Sequence, residues 1–186
     1  GQQLPYLDGI DFAIIRDPAA MDAAFRVGKL DGGARGSGHT LTKERQAGYI
    51  KDLGDQAWFA EIGGTRGGLT FNVLRPGPWQ DARVRKAIAL WMDKQATIPS
   101  VMGGFGYVFT ILHPKNPFTS PDYLTWPGWN PASREADRAE AKRLIAAANY
   151  PQGFQMNHAC RRLWIIYCEF FHAQLASLGI DLKIVL

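Results

Sequence analysis

The period of the apolar positions changes several times along this chain, and each change marks an element. Residues 10–15 are an apolar run that predicts a buried strand. Asp17 and Pro18 follow, a side-chain acceptor for free helix amides and a residue suited to the first helical position. A helix is predicted over residues 19–27, with Ala20, Ala23, Ala24 and Val27 on one face and Gly28 as its stop. Lys29-Leu30-Asp31 reads as the start of a second strand, which makes a strand–helix–strand unit. A short helix over 43–53 ends at Gly54. Residues 58–62 and 69–74 read as strands joined by a glycine-rich connection, and Pro76-Gly77-Pro78 stops the second.

The second half reads more clearly. Asp81 caps a helix from Ala82 to about Met92, with Val84, Ile88 and Trp91 along one face. Asp93 starts another short helix that ends at Gly103-Gly104. Residues 113–131 hold five prolines together with Trp126 and Trp129, an irregular excursion of a kind that is functional or wraps a domain. A helix over 135–148, a strand over 154–158, a helix over 163–178 stopped by Gly179 and a strand over 180–186 complete the pattern. Strands alternating with helices predict an α/β domain, with the first and last strands in one sheet.

Composition narrows the function. With 186 residues, 46% hydrophobic and 20% charged, the chain has the make-up of an ordinary globular domain with a sizeable core. The net charge is +4 and no basic run reaches five residues, which argues against nucleic acid as a partner. Gly32-Gly33-Ala34-Arg35-Gly36-Ser37-Gly38 lacks the Gly-Lys-Ser/Thr ending of a phosphate loop and reads as a flexible connection. Cys160 and Cys168 with His158 are too few for a zinc finger; a disulfide between the two cysteines stays open, but Cys168 reads as lying on an apolar helix face, and free, packed thiols are the expectation. No stretch approaches a bilayer-spanning apolar length. The chain opens on Gly1 and stops inside an apparent strand, so it is expected to be a piece of a longer protein.

Four stretches in register carry a family resemblance. They are Leu7-Asp8-Gly9-Ile10 with Gly28-Lys29-Leu30-Asp31; Phe71-Asn72 followed by Asp81-Ala82-Arg83-Val84-Arg85 and Met92-Asp93-Lys94; Glu140 to Ile145 with Gly153-Phe154; and Gln174 to Leu182. Together they resemble the family-five extracellular solute-binding proteins, which serve dipeptide, oligopeptide and nickel importers. The chain departs from the family pattern in the bulky cluster Trp164, Tyr167, Phe170 and Phe171, and in Ala148-Asn149 where Ala-Gly is usual. The resemblance implies one lobe, residues 1–186, of a type II periplasmic-binding-protein-like α/β fold, a mixed sheet flanked by helices. It implies a monomer without cofactor or catalysis, periplasmic or otherwise extracytoplasmic, and lipid-anchored where the source has no outer membrane. Its partners would be a small solute (peptide, opine, sugar acid or metal complex) and ABC permease subunits. An isolated α/β protein-interaction module is the alternative.

Asp81, Arg83 and Arg85 read as structural, a helix cap and two arginines that diverge on a helix. Asn72 reads as a residue that satisfies backbone, and Trp126 and Trp129 as packing. His158, Arg161 and Arg162 lie where a strand passes into a helix, the position at which open α/β sheets bind ligands. In peptide-binding relatives the matching loop supplies a basic residue to a ligand carboxylate, and the arginine fork suits that role. No Gly-x-Ser-x-Gly or His-Glu-x-x-His motif is present, and His39, His113, His158 and His172 are scattered.

Overall fold

The computed structural model describes residues 4, 6–32, 41–59, 68–109, 112, 114 and 116–186. The chain divides into two compact units, Gly1–Phe59 and Ala60–Leu186. The predicted loop at 32–38, the predicted strand at 58–62, His39 and His113 fall wholly or partly outside the described residues.

The first unit holds two helices. Helix α1, Pro18–Arg26, starts as the sequence predicts: the Asp17 carboxylate accepts from the Ala20 amide at 2.7 Å, with Pro18 in the first turn. Helix α2, Lys43–Leu53, is capped by the Thr42 hydroxyl. Tyr49 joins them. Its ring meets Phe25 edge-on at 5.1 Å, and the Arg26 guanidinium lies 4.7 Å above it. Arg26 also pairs with Asp22 at 2.9 Å and with Asp52. A hydrogen bond from Tyr49, and then the contact with Arg26, hold the Asp22 carboxyl below its usual range.

The expected strand at 10–15 does not form. Ile10, Phe12 and Ile14 are 67%, 78% and 89% exposed, and no ladder includes them. A lone extended segment gains nothing without a neighbouring strand to take its amides. Lys29-Leu30-Asp31 is likewise turn and bend. Residues 69–74 fail for a related reason. The Asn72 side chain accepts from the Leu74 amide at 3.2 Å, and the Arg75 amide bonds back to the Asn72 carbonyl, so the backbone is satisfied by a local turn.

The second unit follows the sequence closely. Helix α3, Ala82–Trp91, is capped by Asp81, whose carboxylate accepts from the Arg83 amide at 2.8 Å. A short helix α4, Thr97–Val101, follows a turn in which Asp93 accepts from Ala96. Helix α5, Arg134–Ala147, packs along α3. Strand β1, Phe154–Ala159, leads through helix α6, Ile165–Ala176, to strand β2, Ile180–Val185. The strands pair in parallel, from Phe154 opposite Ile180 to Ala159 opposite Val185, so α6 is the crossover that parallel pairing requires. This is the only sheet among the described residues, so the expected shared sheet with the first segment is absent. Alternation on the strands turns Met156, Ile180 and Leu182 into a core with Val84, Ile88, Leu144, Leu175 and their neighbours.

Both strands are entered through glycines in the left-handed region, Gly153 at φ 79° and Gly179 at φ 87°. A Cβ on Gly153 would lie 1.8 Å from the Gly179 carbonyl oxygen, which accepts the first bond of β1 from Phe154. Gly153→Ala is therefore expected to destabilise the chain by about 2 kcal/mol or more, since both the backbone angle and the strand approach forbid it. An unchanged denaturant midpoint would contradict that close approach.

Lys94, just after α3, ties two segments together. Its ammonium donates to the carbonyls of Ala89 at 2.6 Å and Gly128 at 2.5 Å, and lies 4.8 Å over the Trp129 ring. Burial pulls its pKa down from 10.5 to about 8, partly offset by the Asp137 carboxylate. The folded chain thus releases this proton sooner than the unfolded chain does, and the cost of the buried ammonium is relieved as pH rises from about 8 to 10.5. The stability of the wild type minus that of Lys94→Met should climb across that window in denaturant titrations. A flat difference would show that the ammonium is not held against burial.

Candidate functional site

The region where β1 passes into α6 is built from residues of opposite character. Phe154, Met156 and His158 occupy one face of β1 and turn inward. The His158 ring is half-buried, with its centroid 6.4 Å from that of Phe171 on α6. Its Nδ1 is buried without a hydrogen-bond partner among the described residues, and burial pushes the imidazole below its ordinary pKa of 6.5. A neutral ring with that setting suits a packing role or a single hydrogen bond, not a charge contact.

Beyond Ala159 the chain turns outward. Cys160 is buried and Arg161 and Arg162 are exposed. The structure brings these two arginines together on one short loop, and among the described residues neither guanidinium has an ion-pair or hydrogen-bond partner. The other arginines of the family-like motif are committed. Arg83 grips Asp81 and donates to the Ala147 carbonyl at 2.7 Å, and Arg85 donates to the carbonyls of Trp79 and Gln80 at 2.7 and 2.8 Å. Asp81, Arg83 and Arg85 are thus structural, as their spacing predicts.

The cysteines differ from expectation. Cys160 and Cys168 form a disulfide, with their Cα atoms 6.4 Å apart. The first turns of α6 fold back over the end of β1, which brings a residue eight positions on within bridging range. The expectation of free thiols considered only the helix face of Cys168 and not the strand end opposite it.

A cavity of about 670 Å³ lies nearby, lined mainly by Phe71, Ile88, Met92, Met102, Tyr167 and Phe171. Arg85 and Lys94 also reach it, and each donates to two backbone carbonyls. Its lining therefore presents aromatic and aliphatic surface, in the size range of small-molecule sites. Tyr167 packs edge-on against Trp164 at 5.3 Å, which links the cavity wall to the arginine-bearing turn. Burial raises the Tyr167 hydroxyl above its ordinary pKa, so it stays a neutral donor. Sequence reasoning missed the cavity. The signal was the cluster Trp164, Tyr167, Phe170 and Phe171, which makes α6 too apolar for a helix that has only one buried face. Trp129 also lines the cavity and packs edge-on against Tyr123 at 5.9 Å, while Trp126 is exposed. Among the described residues no group of three or more His, Cys, Asp or Glu side chains is placed to hold a metal.

The chain is similar to known proteins in sequence and in fold. Over 122 residues the chain is 26% identical to the glutathione-binding protein GsiB of Salmonella choleraesuis (strain SC-B67), covering 62% of this chain and 22% of that protein. It is 36% identical over 78 residues to the periplasmic oligopeptide-binding protein OppA of Escherichia coli (strain K12), covering 39% of this chain and 13% of that protein. The fold is similar to the unliganded open form of MppA, a periplasmic murein tripeptide binding protein, with a TM-score of 0.53 and 22% identity over 92% of this chain and 32% of that one. The chain thus spans about a fifth or less of the length of these curated relatives. The model of the bacterial extracellular solute-binding proteins, family 5 (middle), matches residues 1–185, and the chain belongs to that family.

Proposed function

We propose that this chain is one lobe of a two-lobed, monomeric protein that captures a peptide outside the cytoplasmic membrane and delivers it to an ABC permease. The observation that carries the reading is the pair Arg161 and Arg162, exposed at the end of β1 and without a partner for either guanidinium among the described residues. Two guanidinium groups with free donors suit a carboxylate. The aromatic cavity linked to them through Tyr167 and Trp164 offers room for an apolar side chain of the same ligand. A peptide carries both groups. The names of the relatives point the same way, as glutathione-, oligopeptide- and murein tripeptide-binding proteins. The Cys160–Cys168 bridge supports an oxidising, extracytoplasmic setting. The role is capture rather than catalysis.

A closed cleft needs two walls, because burying most of a ligand takes surface from both sides. Residues 1–186 alone should therefore bind tripeptides more weakly than about 1 mM by calorimetry. Tighter binding would show that this lobe is a complete receptor. In the full-length protein, Arg161→Ala or Arg162→Ala should weaken a tripeptide with a free carboxylate roughly tenfold or more, since a charge-assisted contact contributes about 1.5–3 kcal/mol. Lysine at the same position should restore only part of the loss, because an ammonium lacks the fork. If both alanine variants bind like the wild type, with unchanged melting, these arginines are solvated surface and the reading loses its support.

A further inference from the structure

The junction between β1 and α6 has few restraints. The end of β1 is fixed, since the Cys160 amide donates to the Val185 carbonyl of β2 at 2.8 Å. The next residues are not held in the usual way. The one-turn 3-10 segment Arg162–Trp164 has no side-chain cap, and neither has α6. Two backbone bonds close the turn, the Trp164 amide to the Arg161 carbonyl at 2.8 Å and the Ile165 amide to the Arg162 carbonyl. Leu163 is exposed and anchors nothing. The side-chain restraints are the Trp164–Tyr167 ring contact and the bond between two buried sulfurs, which closes the segment that carries both arginines.

We infer that the Cys160–Cys168 disulfide positions the arginine pair: it holds Arg161 and Arg162 in an arrangement that grips a ligand carboxylate, so that opening it removes acid recognition while the rest of the peptide site persists. The inference rests on the peptide-capture reading. The cysteines touch no ligand and act through the loop. Without the bridge, residues 161–167 recover backbone freedom that binding must then remove, together with the rotamer freedom of two long side chains. Neutral contacts made elsewhere on the peptide do not depend on that loop.

The test uses the full-length protein and two probes, the tripeptide Ala-Phe-Ala with a free carboxyl terminus and the same tripeptide as its C-terminal amide. In the native protein Cys160 and Cys168 should resist thiol alkylation, and the protein should favour the acid over the amide. Cys160→Ala with Cys168→Ala should lower affinity for the acid about tenfold and leave affinity for the amide nearly unchanged, so that the preference collapses. Adding Arg161→Ala and Arg162→Ala to that variant should then change little further. Dithiothreitol on the wild type should reproduce the selective loss and give a second route should the variant fold poorly. An unchanged acid-to-amide ratio, a parallel fall for both probes, or unfolding on reduction would each overturn the positioning role while leaving peptide capture intact. If the native protein binds neither probe, the capture reading fails, and this inference fails with it.

Discussion

The second unit depends on how one indole is held. Trp91 ends α3 in the core, and its N–H donates to the Gln174 carbonyl at 2.8 Å near the end of α6. Arg138 and Lys142 of α5 lie over its face, at 5.0 and 5.6 Å from the ring. One side chain thus touches three helices. The apolar ring fills the core, the donor is satisfied on α6, and the π face receives cations from α5. The parallel strands follow from this, because α6 is the crossover between them. The arginine-bearing turn follows too, because it starts α6. A buried donor left without an acceptor costs about 1–3 kcal/mol, so the position of α6 relative to α3 is closely specified.

The two arginine groups show how the fold assigns roles to similar residues. Arg83 and Arg85 stand on α3 with carbonyls in reach. Arg83 staples that helix to the end of α5, and Arg85 secures the turn before it. Arg161 and Arg162 stand where β1 has ended and α6 has not begun, so no carbonyl row faces them. Backbone carbonyls accept from Arg83 and Arg85, and among the described residues none accepts from the guanidinium of Arg161 or Arg162.

Helices were legible in the sequence because their signals are local. Asp17-Pro18 and Asp81 cap where the sequence predicts, and the bounds of α1, α2, α3 and α5 fall within a residue of expectation. Strands were legible only where a partner lies nearby in sequence, as for β1 and β2. Residues 10–15 and 69–74 have strand composition, but strand formation is a property of pairs, and no pair exists for them among the described residues. The candidate site divided the same way. The arginine loop was visible as a strand-to-helix connection. The disulfide was not, because it depends on how α6 folds back over the strand end. The cavity was not either, because its walls come from segments as far apart in the chain as Phe71 and Phe171.

The unpaired segment at 10–15 also bears on handling the molecule. It presents Ile10, Phe12 and Ile14 to water beside backbone groups outside any ladder. A neighbouring copy in solution can supply what the described residues do not, an adjacent extended segment with apolar side chains. Exposed apolar side chains beside unladdered backbone favour self-association through this stretch as the concentration of residues 1–186 rises.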